Sequence, residues 1–582
     1  MRQLHRSFHT RSVALLATAL LLFLCAAQRV QAQTLDSEVQ RRRSQADAQE
    51  RLERQQAPDV RLPAATGSAT NDDAPLPADA RCFPIHRILL AVPAQLPPAM
   101  QSAGASVLPQ DPFHDVLVYL QRYENQCLGA DAISELGRRV NRRILAQGYS
   151  TTRVSVPEQA LGSQTLTFML IPGVIRAFRF SEPGGANWQS AFPSRPGDLL
   201  NLRDLEQGLE QIKRVPSQDV EMEIVPGELA GESDVVIHMK RGKRWRVIAT
   251  ADDSGARGTG KLQAGLSVAL DNALGLNDLF SAGASKDGEH DDASQGTGGA
   301  HLSYALPYGY WNLALSASRY RYHQKVAGNN ETFMSSGRSR ELELKVQRLF
   351  QRDQSQKNSL QFRLAKRWSA AYIDDTEIMV QRRNTTVAEL AWLHRHYLGA
   401  AQLDLTLASR WGVSWFNGQG DEPGREPGAP AFRYSLQTLD ATLTTPFSLA
   451  GQPLVHSATL RAQTTRSALY VVDQFSIGSR YTVRGFDGET MLAAERGYFL
   501  RNDIELPLGS SGQSLYAGLD YGQLFGPSVR QLPGSRLAGA AVGVRGSTHG
   551  LAYDLFAGWA LHKPAGYATR NPVFGFNLSY QF

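Results

Sequence analysis

From about Arg244 to Phe582 the chain alternates apolar and polar side chains, segment after segment, and stops on an aromatic residue. Leu403, Leu405, Leu407, Trp411, Val413 and Trp415 alternate with Asp404, Thr406, Ala408, Arg410, Gly412 and Ser414. Leu342, Leu344 and Val346 alternate in the same way with Glu341, Glu343, Lys345 and Gln347. Successive side chains of an extended strand point to opposite faces, so each segment has one apolar and one charged face. A soluble sandwich would not be expected to end in Phe574, Phe576, Leu578, Tyr580 and Phe582. The pattern is that of a transmembrane β-barrel whose charged side chains face an aqueous interior. Beyond the first thirty or so residues no apolar run is long enough to span a bilayer as a helix. At about twenty residues per strand and connection, the region 243–582 accommodates about 16 antiparallel strands.

The N-terminus has the three parts of a signal peptide over 1–32. Arg2, His5, Arg6 and Arg11 form the basic part, Val13 to Ala27 the apolar part, and Val30-Gln31-Ala32 the cleavage site. Export leaves Cys82 and Cys127 in an oxidising compartment, where an intramolecular disulfide is the expected outcome. A metal pair would need further ligands that are not nearby. The thirteen histidines show no metal-ligand spacing, Gly258-Thr259-Gly260-Lys261 lacks the spacing of a phosphate loop, and no serine stands in a nucleophile elbow. The expectation is a protein that is not an enzyme and takes no cofactor or metal. Its charge of +6 is spread along the chain, which argues against a nucleic-acid site.

Residues 33–56 are rich in Gln, Arg, Glu and Ala with only Leu35, Val39 and Leu52 as sizeable apolar residues, a composition compatible with a polar helix or with a disordered arm. Residues 57–80, rich in Ala, Pro and Asp, form a linker. Two small α+β domains follow, at 81–172 and 173–242. In the first, a strand over Cys82 to Val92 precedes helices over Asp111 to Arg122 and Asp131 to Gln147, then strands over Thr151 to Val156 and Thr165 to Ile171. Ile133, Leu136, Val140 and Ile144 share a face of the second helix, with Asp131 as its cap and Gly148 as its stop. In the second domain Asn201 caps a helix whose Leu202, Leu205, Leu209 and Ile212 face one way, with strands at Val174 to Phe180, Val220 to Val225 and Asp234 to Met239.

Late in the chain, Gln474 to Gly488 interrupts the alternation. The loop, about 467–496, carries Val483-Arg484-Gly485-Phe486 at its tip; Gly485 and Gly488 permit a tight turn, and Val483 and Phe486 are apolar residues that a solvated loop does not need. It is expected to fold inward. In the strand-like stretch Tyr516 to Gly522, Asp520 could pair with Arg484 inside the lumen, where an arginine without a partner is costly.

These two stretches resemble the sixth loop and the strand-thirteen acid of the two-partner secretion transporters of the haemolysin secretion/activation family, within the superfamily of barrels with polypeptide-transport-associated (POTRA) domains. Cys82-Phe83-Pro84-Ile85-His86-Arg87-Ile88, Tyr123 to Gly129 and Arg142 to Tyr149 are similar to that family's POTRA modules. The resemblance implies an outer-membrane barrel with its POTRA domains in the periplasm, residues 33–56 as a helix plugging the pore, and Tyr580 and Phe582 in a C-terminal assembly signal. It implies one large secreted exoprotein with an N-terminal secretion domain as partner, an adhesin or haemolysin, exported unfolded without nucleotide hydrolysis. Outer-membrane lipid, lipopolysaccharide and the barrel-assembly machinery would be further partners. An exposed POTRA sheet edge can hold an extended client as an added strand, although such modules can also serve as rigid spacers. Two other readings are a barrel-assembly insertase, whose known members carry three or more POTRA modules, and a passive channel, which would not need residues 82–240.

Overall fold

The computed structural model describes residues 38–62, 74–93, 112–182, 187–229, 231–289, 294–328 and 331–582. The signal peptide expected at 1–32 lies outside the described residues. Helix α1 covers 38–56.

The first small unit runs β1 (Phe83–Ile85), β2 (Arg87–Ala91), α2 (His114–Gln121), β3 (Gln126–Leu128), α3 (Ala130–Ala146), β4 (Arg153–Ser155) and β5 (Thr165–Ile171). Its main sheet has the order β2-β5-β4, with β2 parallel and β4 antiparallel to β5. Ile133, Leu136, Val140 and Ile144 of α3 pack with Leu166, Phe168 and Leu170 of β5 in one core. The cap of α3 is Asp79, arriving from the linker, whose carboxylate accepts from the backbone N–H groups of Asp131 and Ala132. Asp131 lies inside the first turn of α3, and its side chain makes no cap bond. Gly148 stops the helix at φ +99°, and a Cβ there would stand 2.4 Å from Asn201 Oδ1 of the following unit. Cys82 and Cys127 are bonded, tying β1 to its partner strand β3.

The second unit comprises β6 (Val174–Phe180), α4 (Trp188–Ala191), α5 (Leu202–Lys213), β7 (Gln218–Pro226) and β8 (Glu232–Arg241), with sheet order β6-β8-β7. Asn201 caps α5 by accepting from the Arg203 N–H at 2.8 Å. Leu205, Leu209 and Ile212 pack with Ile175, Val235 and Ile237 of the sheet. The register between β6 and β8 shifts between Ile175 and Ala177, and a bulge re-aims the side chain of its extra residue. Arg176 uses this to donate to both carboxylate oxygens of Asp234, at 2.8 and 2.7 Å.

The rest of the described chain is a closed antiparallel barrel. Its strands are β9 (Trp245–Asp252), β10 (Gln263–Asp271), β11 (Leu279–Asp287), β12 (Gln295–Tyr308), β13 (Trp311–Ala327), β14 (Thr332–Arg352), β15 (Gln356–Ile373) with its short extension β16 (Thr376–Glu377), β17 (Arg383–Leu398), β18 (Ala401–Val413), β19 (Ser435–Leu449) and β20 (Gln452–Thr465). After the short hairpin strands β21 (Phe475–Ile477) and β22 (Leu492–Ala494), it continues with β23 (Arg496–Pro507), β24 (Gln513–Phe525), β25 (Arg536–Thr548), β26 (Leu551–His562) and β27 (Val573–Gln581). Because β16 pairs only with β15, and β21 and β22 only with each other, 16 strands make the wall. Closure joins β27 to β9 through five residue pairs, Asn577 to Gln581 against Asp252 to Ile248. Tyr580 and Phe582 are exposed at this seam, their rings 4.7 Å apart edge to face. Among the described residues no helix is long and apolar enough to cross a membrane. The exposed large residues include Leu266, Leu302, Leu342, Leu390, Leu407 and Leu519, the apolar outer face that the alternation demanded. Since β9 leaves directly from the second small unit, turns such as 353–355 lie on that side, and loops such as 466–495 on the opposite side.

Two outcomes follow for the small units. Loss of the disulfide, which spans 45 residues, is expected to destabilise the first unit by about 4 kcal/mol on chain-entropy grounds; trypsin digestion of the full chain with and without reductant should show the 82–171 region becoming cleavable. In the second unit the carboxyl of Asp234 is held below the ordinary carboxylate range, first by the hydrogen bonds from Arg176 and then by the charges of Arg176 and Arg179, with burial opposing. A depressed folded-state value stabilises fully above the unfolded value near about 4 and is lost as pH falls through the folded value. Asp234→Asn should therefore lose stability at pH 7 and approach the native protein below about pH 4, as read by urea unfolding of the two proteins side by side.

Candidate functional site

The loop between β20 and β23 turns back into the barrel. Strands β21 and β22 pair as a hairpin, and the segment between them carries the tip. Val483, Arg484 and Phe486 are all buried. Val483 and Phe486 join Phe475, Ile477, Leu492, Phe499, Leu524, Leu537 and Tyr567 in an apolar cluster inside the lumen. Phe486 meets Tyr567 edge to face, with centroids 5.6 Å apart. This cluster explains why the loop carries apolar residues: they bury against the inner wall rather than facing water.

Arg484 reaches the wall beside them. Its backbone N–H and its Nε both donate to Asp520 Oδ2, at 2.8 and 2.7 Å, and its Nη2 donates to Oδ1 at 2.6 Å. Nη1 stands 2.7 Å from Asp503 Oδ1 on β23. Asp520 sits on β24, thirteenth in the wall, and has its side chain fully buried. A buried arginine with a bidentate carboxylate and a second acid is satisfied in charge and geometry. A lysine would supply the charge without the two-pronged fit.

The wall under the tip is made of glycine. A Cβ at Gly518 would lie 2.3 Å from Arg484 Nη2, one at Gly522 2.8 Å from Val483 Cγ2, and one at Gly539 1.8 Å from the Arg484 carbonyl oxygen. A Cβ at Gly558 would stand 3.0 Å from Gly485 Cα, and Gly485 itself has φ +91° and lies against the Trp559 carbonyl. Three neighbouring strands, β24, β25 and β26, thus lack side chains where the tip lands. Sequence reading passed over these wall glycines. The available signal was a glycine at inward positions of strand patterns, which marks a close backbone approach.

Helix α1 fills much of what remains. Arg41 donates to the Gly488 carbonyl at 3.0 Å, and Arg43 to the Val472 carbonyl at 2.7 Å, so the start of the helix touches the inward loop. Further along, Asp47 pairs with Arg461 at 2.7 Å, Glu50 with Lys345 at 3.3 Å and Arg51 with Asp440 at 3.4 Å, all on the wall. Arg54 donates to Thr406 Oγ1 at 2.7 Å. The wall carries its own ladder, with Arg410 paired to Glu389 at 2.6 Å and Arg363 to Glu343. A helix that is polar on all sides is suited to a lumen lined with charge, where its partners surround it.

Beyond α1, residues 58–62 run between α5 and the barrel turns. The Val60 and Leu62 N–H groups donate to Glu210 and Glu206, both at 2.8 Å. Arg352 at the end of β14 pairs with the same two acids, at 2.8 and 3.0 Å, and Lys357 pairs with Asp59 at 2.6 Å. The segment leaving α1 is thus held by the second small unit and the barrel together. Tyr580 and Phe582 stand apart from this assembly, on the outer face, and Cys82 and Cys127 lie in the first unit. Among the described residues no group of three or more His, Cys, Asp or Glu is placed to hold a metal ion.

Comparison with known proteins adds the following. Residues 231–546 match the family described as haemolysin secretion/activation protein ShlB/FhaC/HecB. Residues 174–226 match a POTRA domain and residues 100–173 a ShlB-type POTRA domain. The chain is 44% identical over 562 residues to outer membrane transporter CdiB-2 of Burkholderia pseudomallei, spanning 96% of this chain and 95% of that one. It is 27% identical over 458 residues to hemolysin transporter protein ShlB of Serratia marcescens, spanning 77% of each. The solved structure of CdiB from Acinetobacter baumannii superposes with a TM-score of 0.82 at 25% identity, over 94% of this chain and 99% of that one.

The glycine seat makes a direct prediction. Gly539→Ala should lift the tip from the wall and expose the 480–490 segment to protease, while Gly420→Ala, where an added Cβ meets nothing within 4 Å, should leave it protected. Heat-modifiable migration in gels should show both barrels folded, and equal protection of the two variants would overturn the seat's role in holding the tip.

Proposed function

The chain belongs to the haemolysin secretion/activation family of outer-membrane two-partner secretion transporters, and on that premise we propose that it exports one large exoprotein, of adhesin or haemolysin type, as an unfolded chain through the barrel lumen. The barrel stands in the outer membrane, with the POTRA domains on the periplasmic side, as in this family. The observation that carries the proposal is the content of the lumen: a loop seated through Arg484 and Asp520 and a polar helix beside it. Both obstruct the path, and the helix is held by contacts between polar groups, whose two partners are both returned to water when the helix leaves.

In this reading α1 is the plug and leaves before transport. The inward loop remains as part of the pathway, with the Arg484–Asp520 pair fixing its working position. The periplasmic units take the exoprotein's N-terminal secretion domain by strand addition at free sheet edges, such as β7 at the end of the order β6-β8-β7. No nucleotide hydrolysis is required, because folding of the exoprotein outside buries apolar surface and makes return unfavourable. Tyr580 and Phe582 act during biogenesis, as the terminal signal read by the barrel-assembly machinery.

Two measurements test this. Deleting the gene should remove one large polypeptide from the medium and leave the other outer-membrane barrels at normal abundance; depletion of several barrels would support an insertase instead. Arg484→Ala should abolish export of that polypeptide while the barrel remains inserted, because truncating one partner of a buried pair costs about 3–5 kcal/mol. Export at the native rate by this variant would take the loop out of the mechanism.

A further inference from the structure

Four arginines on the outer wall make no ion pair with a carboxylate among the described residues. Tyr320 of β13 donates to Glu38 of α1, and Lys345 of β14 pairs with Glu50 of α1, so both of these side chains point into the lumen. Alternation then turns Arg319 and Arg321 of β13, and Arg338 and Arg340 of β14, to the outside, where all four are exposed. The register sets Arg319 directly opposite Arg340 and Arg321 directly opposite Arg338. Like charges opposite one another across an antiparallel pair destabilise it.

The inner face of the same region is treated differently. There Arg363 pairs with Glu343, Arg367 with Glu341 at 2.8 Å, and Lys345 with Glu50 at 3.3 Å. Among the described residues none of the four outward arginines makes an ion pair with a carboxylate. Glu377, in the neighbouring loop, is hydrogen-bonded by Arg382 twice at 2.6 Å, and Arg338 acts on it through charge alone, beyond ion-pair distance.

Their height on the wall is set by the residues below them. The outward column of β13 continues toward the periplasm as Ala317, Leu315, Leu313 and Trp311, and that of β14 as Leu342, Leu344 and Val346. At the far end Arg348 lies over the Trp311 ring, 5.2 Å from its centroid. Arg338 and Arg348 are separated by about 34 Å of strand, which on a strand tilted by about 40° rises about 26 Å and matches an apolar band about 25 Å tall. The four arginines therefore mark the extracellular edge of the lipid-facing band. Exposed Trp368 of β15 stands opposite Arg340, and the Arg338 guanidinium lies 5.1 Å from the Tyr372 ring centroid, which places an aromatic girdle at the same level.

The outer leaflet of this membrane is built of lipopolysaccharide, whose lipid A anchor carries phosphate at that depth. We propose that Arg319, Arg321, Arg338 and Arg340 form a binding site for the phosphorylated disaccharide of lipid A. Guanidinium groups match phosphate with two-pronged hydrogen bonds, and a phosphate set among the four relieves the repulsion that the strand register imposes. The acyl chains lie along Leu315, Leu342 and Leu344. The site is independent of the export reading and rests only on the outer-membrane location.

The test uses the full chain, purified from outer membranes and washed free of lipopolysaccharide in detergent, with bisphosphorylated lipid A as the probe and native mass spectrometry as the readout. The native protein is expected to retain lipid A. The quadruple Arg→Gln variant should bind it about tenfold or more weakly, and lipid A stripped of phosphate should bind the native protein no better than that. Added salt should weaken the native complex. Heat-modifiable migration reports folding of the variant, and the pairs R319Q/R340Q and R321Q/R338Q, each keeping two arginines, supply the same comparison if the quadruple variant fails to fold. Undiminished binding by the variants, or equal binding of dephosphorylated lipid A, would overturn the proposal. Equal competition by phosphatidylglycerol would overturn the assignment to lipid A and leave a general anionic lipid surface.

Discussion

A closed barrel of 16 strands has a lumen wider than its own inward side chains can fill. In a membrane that lumen is a hole, and the remainder of this structure is organised around occupying it. The wall contributes charge rather than bulk, as a ladder that includes Glu343, Arg363, Glu389, Arg410, Asp440 and Arg461. The volume is taken by two segments from distant parts of the chain, the loop around Arg484 and the helix over 38–56. They are held by different physics.

The loop is held by an apolar cluster and by a bidentate ion pair buried with it, in a seat where Gly518, Gly522, Gly539 and Gly558 remove every side chain that could obstruct contact. Burying the two charges together is close to neutral, whereas separating them leaves each unpaired in a dry site. That asymmetry makes the loop's position hard to give up. The helix has no such commitment. Its contacts are salt bridges and hydrogen bonds to charged wall residues, such as Asp47 to Arg461 and Glu50 to Lys345. One occupant is anchored by buried apolar surface as well as by charge and the other through polar contacts, a division that follows from the polarity of the two segments.

The junction outside the barrel couples these parts. Glu206 and Glu210 of the second small unit bind both the chain leaving the helix, at Val60 and Leu62, and Arg352 of the barrel turn. The second small unit, the segment leaving the helix and the barrel turn thus meet on one pair of acids.

The barrel was legible because period-two alternation recurs in segment after segment from about Arg244 onward, with one face apolar and the other charged. The disulfide followed from two cysteines and an oxidising compartment, and Arg484 and Asp520 stood out as a lumenal charge with a nearby acid in strand context. The Asn201 cap was legible because it is local. The Asp79 cap was not, since it bridges 52 residues between the linker and the helix it caps. The wall glycines were equally hidden. A strand glycine announces a close approach without saying what approaches, and only the fold shows Arg484 and Gly485 arriving there. The sequence by itself determined which faces meet lipid and which meet water, because that depends on neighbours two positions apart. Which charges pair across the lumen, and which arginines outside it face one another, depends on register and closure, and these exist only once the strands have met.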